Sequence, residues 1–203
     1  MGPRKALRRL RIRWLRHRYG PVELWTEEIE PIVEAIVRRP ECRLLVFGTG
    51  YDTPLWLALN RQGRTAFIED DPHWIETAAR RCPGAEVHRV TYPTVLSQWP
   101  MLLQNPERTF MELPRAVTAE PWDVILVDAP SGQIESFWAA HGREPPGRAC
   151  SIAAARRLVR PGGDVFVHDC DRPAEDAFTR HYFGPEALVQ EVCGRALLRH
   201  YRV

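Results

Sequence analysis

Three side chains that could move a proton stand directly after apolar runs. Asp128 follows Val124–Val127, and the pair His168 and Asp169 follows residues 164–167. If both runs are neighbouring parallel strands, their carboxyl ends meet at the sheet edge where ligands bind in open α/β folds. A histidine could act as a base near neutral pH, while Asp128 could accept a proton or orient a hydroxyl. We expect these three residues to be catalytic; the ordinary alternative is that Asp128 caps a turn and His168 is a satisfied core histidine.

A second group of residues could hold a nucleotide. Gly48 and Gly50 follow an apolar run, where glycine permits a tight turn and the close approach of a ligand. Glu69 ends the next predicted strand about 20 residues later, where a carboxylate can accept hydrogen bonds from both ribose hydroxyls. Its alternative role is that of an acid at a helix start. The residues predicted to bind the cofactor are Phe47, Gly48, Thr49, Gly50, Asp52, Glu69, Asp70 and Asp128.

The residues of this turn distinguish two kinds of cofactor. A dinucleotide fingerprint needs a third glycine, so that a pyrophosphate fits against the helix N-terminus. Here Asp52 lies in the turn, and Thr53 and Pro54 follow it. A carboxylate repels a pyrophosphate but attracts a cation. The turn therefore favours S-adenosylmethionine, which carries a positive sulfonium, over NAD.

Strands alternate with helices along the chain, which predicts an α/β fold with a parallel sheet covered on both faces. About three residues join the last two predicted strands, too few for a parallel crossover, so these strands should form an antiparallel hairpin. A mostly parallel sheet with a C-terminal antiparallel hairpin is the plan of the Rossmann-like, class I S-adenosylmethionine-dependent methyltransferases. The predicted strands are 42–47, 64–69, 85–90, 124–127, 164–167, 188–192 and 196–201. The predicted helices are 21–39, 54–60, 72–81, 151–159 and 173–182, with loops at 93–121 and 129–147.

Several short motifs lie at the ends of these strands. They are Phe47-Gly48-x-Gly50-x-Asp52, Gly63-Arg64-Thr65, Asp71-Pro72-x-Trp74, Asp128-Ala129-Pro130, Pro146-Gly147-Arg148 and His168-Asp169. Together they resemble the plant glucuronoxylan 4-O-methyltransferase family of polysaccharide biosynthesis, over residues 40–203. The resemblance implies an S-adenosylmethionine-dependent O-methyltransferase for a carbohydrate hydroxyl, with the 4-hydroxyl of a glucuronic acid residue as one candidate. Two open alternatives are a small-molecule acceptor and a noncatalytic scaffold protein that keeps the fold.

Two further residues are expected to contact the acceptor. Tyr92 matches the family motif after the third strand, so the resemblance carries it over. Arg148 could hold a uronate carboxylate with both arms of its guanidinium. The alternative for Arg148 is a pair with an acid such as Glu144.

A divalent cation is a weaker possibility at the same edge of the sheet. Asp128, Asp169 and Asp171 could hold an ion that acidifies the acceptor hydroxyl. Three acids in loops also occur commonly without an ion. We therefore predict no metal site.

The charge of the chain is unevenly distributed. Residues 1–20 carry eight Lys or Arg and no acid, while the remainder has 20 basic against 26 acidic residues. We expect a basic helical segment at 1–20 and a single methyltransferase domain at 21–203. Apolar residues at helical spacing lie among the arginines: Leu7, Leu10, Trp14 and Leu15. Residues 4–18 could contact an anionic membrane or polyanion, or pack this stripe on the domain. The acidic remainder argues against a nucleic acid partner.

Cysteine usage and hydropathy indicate the compartment. The five cysteines are scattered without a CxxC pair, which supports neither a disulfide framework nor a zinc site. No run approaches the roughly 18 apolar residues of a membrane span, and no apolar stretch of a secretory signal follows the basic N-terminus. We expect a reducing, cytoplasmic setting.

Overall fold

The structure, a computed structural model, describes residues 3–203, without the side chains of residues 3–5, 135 and 136. Its strands are β1 Arg43–Phe47, β2 Arg64–Glu69, β3 Glu86–Arg89, β4 Trp122–Val127, β5 Val159–Val167, β6 Leu188–Cys193 and β7 Leu197–Arg202. They form one sheet in the order β3-β2-β1-β4-β5-β7-β6. The first five strands pair in parallel, and β7 pairs antiparallel with both β5 and β6. The predicted α/β fold and its C-terminal antiparallel hairpin are confirmed.

Helices cover both faces of this sheet. They are α1 Pro3–Tyr19, α2 Thr26–Val37, α3 Thr53–Leu59, α4 Pro72–Arg81, α5 Trp99–Gln104, α6 Arg115–Thr118, α7 Ile134–His141, α8 Ala149–Leu158 and α9 Pro173–Phe183. The prediction of loops at 93–121 and 129–147 is wrong in part, since these segments contain α5, α6 and α7. Pro100 lies in the first turn of α5, where proline is tolerated, and Gly142 ends α7 at a left-handed φ of 62°. Proline and glycine therefore mark helix ends here.

Alternate residues of the central strands face two separate cores. Leu45 and Phe47 of β1 pack with α5, α8 and α9, while Leu44 and Val46 pack with α1, α2 and α3 on the opposite face. Strands β2, β4 and β5 alternate in the same way. A strand that is buried on both faces reads as a continuous apolar run, which is why β1 and β4 were recognisable in the sequence.

Helix α1 packs on the domain through one residue of the stripe noted in the sequence, Leu15, together with Ile12. Ile12 and Leu15 are buried in the second core. Leu7, Leu10 and Trp14, which belong to the predicted packing stripe, are exposed instead. The side chains of Arg4 and Lys5 lie outside the described part of the chain. Within residues 3–203, no helix combines the length and apolar character needed to cross a bilayer.

The strand order reverses between β1 and β4. From β1 the chain builds outwards to β2 and β3, and from β4 it builds the other way to β5. At such a switch point the connections leave in opposite directions and open a crevice at the carboxyl ends of the strands. The segments after β1, β2, β4 and β5 therefore meet at one edge of the sheet.

Candidate active site

A cleft of about 780 Å³ lies at this switch point, within the size range of small-molecule sites. The ends of four parallel strands line it with residues from 48–52, 69–71, 128–133 and 168–172. Phe137 and His141 of α7, Trp74 of α4 and Arg195 of the β6–β7 turn complete the wall. The strand-end residues singled out in the sequence are thus brought together, with the exceptions described below.

The turn after β1 needs glycine at its first position. Gly48 has a φ of 115°, and a Cβ there would lie 2.9 Å from the Cβ of Ala129, in the turn after β4. The backbone of this turn therefore lies directly against that of the neighbouring strand end. Phe47, predicted to contact the cofactor, has a side chain that is fully buried in the core, outside the cleft lining. Its carbonyl accepts from the Asp128 amide at 3.0 Å, so Phe47 positions the site through its backbone.

Glu69 holds together the turns after β1 and β2. Its Oε2 accepts from the amide and hydroxyl of Thr49 at 2.8 and 3.0 Å. Its Oε1 accepts from the amides of Asp70 and Asp71 at 2.8 and 2.9 Å. All four acceptor positions of the carboxylate are therefore used within the protein. The contact of Glu69 with a ribose stays a prediction. A ribose hydroxyl could bond to this carboxylate only if it replaced the hydrogen bond from the Thr49 hydroxyl.

Two carboxyl groups on this side titrate near neutral pH. Burial raises the pKa of Asp52 to about 6, and the charge of Asp128 adds to the effect. Burial likewise raises the pKa of Asp70 to about 6, with a contribution from neighbouring Glu69. Each carboxylate is destabilised by lost hydration and by a like charge, so a cation bound between them would be favoured.

His168 lies in the site as a buried imidazolium. Its Nδ1 donates to Asp128 Oδ1 at 3.0 Å, and its Nε2 donates to Glu28 Oε1 at 2.8 Å. Burial opposes the positive charge, but Asp128, Asp169 and Glu28 outweigh burial and raise the pKa of His168 to about 11. A ring that donates both of its hydrogens has no free lone pair. The expectation that His168 is a base near neutral pH is therefore corrected: it orients Asp128.

Glu28 was not anticipated as part of this site. It is fully buried, and besides His168 it accepts from the amides of Trp25 at 2.6 Å, Arg195 at 3.2 Å and Ala196 at 3.4 Å. It thereby joins the start of α2 and the β6–β7 turn to the end of β5. An acid at the third position of a helix often bonds back to the cap residue. That local pattern was its only sequence signal.

Arg148 lines the cleft, but its guanidinium is held by the ends of β4 and β5. It is 5% exposed, and its Nε, Nη1 and Nη2 donate to the carbonyls of Pro130, His168 and Asp128 at 3.2, 2.8 and 2.8 Å. Nη2 also lies 2.8 Å from Asp169 Oδ2. The predicted bidentate grip on an acceptor carboxylate is therefore corrected, because three nitrogens already bind the ends of β4 and β5.

The other predictions about the acceptor also need revision. Tyr92 is buried in the first core, outside the cleft lining, and its hydroxyl accepts from Ser151 Oγ at 3.0 Å. Glu144, the suggested partner of Arg148, instead accepts from Ser97 Oγ at 3.0 Å. The Tyr92 error has a simple cause, because a residue that follows a strand in sequence can face either the cleft or the core.

Two further arginines, which sequence reasoning missed, line the β5 side of the cleft. Arg172 Nη2 lies 3.0 Å from Asp169 Oδ2. Its buried Nη1 has no hydrogen-bond partner among the described residues. Arg195 pairs with Glu23 at 2.7 Å and is half exposed. A buried donor without a partner is costly unless a ligand or water satisfies it.

Among the described residues, one cluster has the composition of a metal site. It consists of Asp128, His168 and Asp169, whose candidate ligand atoms lie within 4.8 Å of one another. Asp169 already contacts Arg148 and Arg172 at 2.8 and 3.0 Å, and the histidine donates from both nitrogens. Asp171, the other suggested ligand, accepts from the Leu197 amide at 3.2 Å. Because protein cations occupy these acceptors, the donor set does not fit a divalent ion.

Helix α7 and the residues after it reach across the cleft to the β2 side. His141 Nε2 lies 3.3 Å from Asp71 Oδ2, and Arg143 Nη2 lies 3.9 Å from Asp70 Oδ2. Phe137 adds an apolar surface to the same wall. The segment 129–147, predicted as a loop, therefore covers part of the cleft opening.

Comparison with known protein families gives a match over most of the chain. A family described as IRX15/IRX15L/GXM matches residues 27–111 and 105–201. Glucuronoxylan 4-O-methyltransferase 2 of Arabidopsis thaliana is 34% identical over 198 residues, covering 87% of this chain and 64% of the plant protein. Arabinogalactan O-methyltransferase 2 of the same plant is 34% identical over 202 residues, covering 87% and 66%. The chain thus spans just under two thirds of the length of these relatives.

Solved structures with the same fold are more distant in sequence. An O-methyltransferase from Bacillus cereus, solved in complex with SAH, has a TM-score of 0.50 at 16% identity and covers 100% of this chain and 92% of its own. A putative caffeoyl-CoA O-methyltransferase from Staphylococcus aureus has a TM-score of 0.53 at 12% identity, covering 100% and 93%. At these identities the likeness shows the fold alone.

The pair between His168 and Glu28 can be tested by protein stability. His168→Gln leaves the Glu28 carboxylate buried without a cation, so we expect it to lower the free energy of unfolding by about 3–5 kcal/mol. Adding Glu28→Gln removes that buried charge. The double variant should therefore lose less unfolding free energy than the sum of the losses in the two single variants. Urea unfolding at pH 7 measures all four proteins. A His168→Gln protein within about 0.5 kcal/mol of wild type would contradict the buried ion pair.

The same pair predicts a pH dependence. Because the folded-state pKa of His168 is raised from 6.5 to about 11, its stabilisation is full below pH 6.5 and is lost as the pH rises towards 11. Wild-type stability should therefore fall between pH 7 and pH 10 more steeply than that of His168→Gln. If the unfolding free energies of the two proteins changed equally with pH, His168 would not be an imidazolium in the folded protein.

The role of Glu69 predicts a coupled loss of stability and cofactor affinity. Glu69→Gln places an amide group against backbone donors, which should cost about 1–3 kcal/mol of unfolding free energy. It should also weaken binding of S-adenosylhomocysteine at least about tenfold, since the turn after β1 loses its anchor. Calorimetry and urea unfolding measure both effects. Glu76→Gln makes the same chemical change on the exposed face of α4 and should alter neither.

Proposed function

Because the chain belongs to the IRX15/IRX15L/GXM family, we propose that it is an S-adenosylmethionine-dependent O-methyltransferase that acts on a hydroxyl of an acidic carbohydrate. One observation carries the proposal. Among the described residues, the cleft at the switch point has only carboxylates as charged groups at the turns after β1 and β2, whereas its β5 side adds Arg172 and Arg195 to Asp169 and Asp171, with Asp128 between the two sides. A cationic methyl donor and an anionic acceptor would thus each meet charge of the opposite sign.

The cofactor side fits a sulfonium better than a pyrophosphate. Asp52 and Asp70 line this part of the cleft, and burial raises the pKa of each to about 6. A positive ligand would stabilise both carboxylates, whereas a pyrophosphate would add to their repulsion. S-adenosylmethionine would supply an electrophilic methyl group here. Gly48 and Gly50 would line its path, and Glu69 would hold the turns that surround it.

Asp128 is the residue best placed to handle the acceptor proton. Its Oδ1 is held by His168 at 3.0 Å and by Arg148 at 3.2 Å, and none of its described contacts uses Oδ2. The side chain is 24% exposed and lines the cleft. Oδ2 can therefore accept the proton of an acceptor hydroxyl and orient its oxygen, while the two cations keep the carboxylate in one position. His168 and Asp169 act as positioning residues in this scheme.

Arg172 replaces Arg148 as the candidate for acceptor recognition. Its Nη1 is buried and has no partner among the described residues, and it lines the cleft near Asp169. A carboxylate of the acceptor would satisfy this donor with a charge-assisted hydrogen bond. The acceptor class follows from the relatives: one is named for glucuronoxylan and one for arabinogalactan. A uronic acid residue of a polysaccharide, including a glucuronic acid methylated at its 4-hydroxyl, fits both the charge and the names.

The activity can be tested with Asp128→Asn. Wild-type protein, labelled methyl donor and a panel of glucuronoxylan, arabinogalactan and neutral glycans should yield labelled acidic glycan, located by mass spectrometry. Asp128→Asn should reduce turnover by about 10²–10⁴-fold, as expected for loss of a proton acceptor. Calorimetry should show that it still binds S-adenosylhomocysteine. Glu112→Gln, on an exposed residue outside the cleft, is the matched control.

Two outcomes would contradict this proposal. Full turnover by Asp128→Asn would remove the catalytic assignment. Binding of S-adenosylhomocysteine by wild type without transfer to any glycan would favour the noncatalytic alternative.

Acceptor recognition can be tested separately with Arg172→Ala. We expect kcat/KM for acidic glycans to fall by roughly 10–100-fold, because a hydrogen bond between charged groups is lost from a buried site. A carboxyl-reduced form of the same glycan should be used equally by wild type and variant. Arg180→Ala removes an exposed arginine of α9, the helix that begins just after Arg172, and should leave both activities unchanged. An equal loss on acidic and reduced glycans would show that Arg172 has a merely structural role.

A further inference from the structure

The outer face of α1 presents large apolar side chains to solvent. Leu7, Leu10 and Trp14 are 67%, 62% and 59% exposed. Their spacing of three and four residues places them side by side on one face of the helix. Three large apolar residues grouped in this way form a patch that a surface helix ordinarily buries.

The packing of α1 on the domain does not use this face. Ile12 and Leu15 of the opposite side are buried against α2 and α3. Ion pairs fix the same side, with Arg8 Nη1 lying 2.5 Å from Glu34 Oε1 and Arg9 Nε lying 2.8 Å from Glu30 Oε2. The helix is therefore held in place while its second apolar face stays available.

Arginines flank the exposed patch. Arg11 and Arg18 stand four residues after Leu7 and Trp14 on one side of the patch, and Arg13 stands three residues after Leu10 on the other. All three are exposed, and no ion pair engages them within the described part of the chain. Since residues 1–20 contain no acid, this surface is apolar along its centre and uniformly positive along its edges.

We propose that this face of α1 docks the protein on an anionic phospholipid membrane. The helix would lie in the interface with Leu7, Leu10 and Trp14 among the upper acyl chains. Its arginines would meet the lipid phosphates, where each basic residue strengthens binding about fivefold. A soluble polyanion would satisfy the arginines but would gain nothing from three large apolar side chains. The combination of both features selects the membrane surface.

The test is co-sedimentation of the full chain with vesicles at low salt. Wild type should pellet with phosphatidylcholine vesicles that contain phosphatidylserine, and high salt should release it from them. It should stay in the supernatant with vesicles of phosphatidylcholine alone. Arg11→Ser/Arg18→Ser should weaken binding roughly 30-fold, from the loss of two basic residues near the surface. Leu10→Ser/Trp14→Ser should weaken it at least about tenfold. Arg61→Ser/Arg89→Ser removes the same charge from exposed positions elsewhere and should pellet like wild type.

Several results would overturn the proposal. One is wild type that stays in the supernatant with every vesicle, and another is an Arg61→Ser/Arg89→Ser control that loses binding as much as Arg11→Ser/Arg18→Ser. Sedimentation velocity could show a dimer that Leu10→Ser/Trp14→Ser dissociates, which would assign the face to a second copy. Wild-type binding to inorganic polyphosphate but to no vesicle, lost in Arg11→Ser/Arg18→Ser and kept in Leu10→Ser/Trp14→Ser, would assign the face to a polyanion. Thermal unfolding must give equal melting temperatures, as expected for substitutions of exposed residues.

Discussion

A buried network of alternating charges holds the site together. Arg148 binds Asp128 and Asp169, and His168 lies between Asp128 and Glu28. Arg172 contacts Asp169 from the cleft side, so the three carboxylates are matched by three cations. Charges this deep in a protein persist only when each is paired and hydrogen-bonded. The network therefore links four segments rigidly to one another: the ends of β4 and β5, the start of α2 and the β6–β7 turn.

This constraint explains why Asp128 is suited to a precise task. A carboxylate on a strand end could adopt several rotamers, but one of its oxygens is fixed here by two cations and the other is left for a ligand. Asp169 has a φ of 61°, unusual for a residue other than glycine, and its ion pairs with Arg148 and Arg172 keep it there. The rigidity that reaction chemistry requires is thus provided by residues that do not react themselves.

The topology of the sheet places the acidic turns and the arginines on opposite sides of the cleft. The half lined by Asp52, Glu69 and Asp70 follows β1 and β2, and the half lined by Arg172 and Arg195 follows β5 and the β6–β7 turn. The reversal of strand order between β1 and β4 brings these segments face to face. The antiparallel β7 matters as well, because it places the turn that carries Arg195 beside the end of β5. A dinucleotide enzyme with the same strand order would need a different charge on its first turn.

Local patterns in the sequence determined the fold class, the hairpin, the first glycine turn and the position of Asp128. Each of these depends on residues close together in the chain: apolar runs, glycines, and acids at strand ends. Only the tertiary structure decided the partners of the charged groups. Glu28 and His168 are separated by 140 positions, and no local pattern relates them. The same limit explains why Arg148 was expected to hold an acceptor and Arg172 was missed, and why the sequence left open which residues of the α1 stripe are buried. Which side of an element is buried depends on what packs against it, and that is a property of the assembled domain.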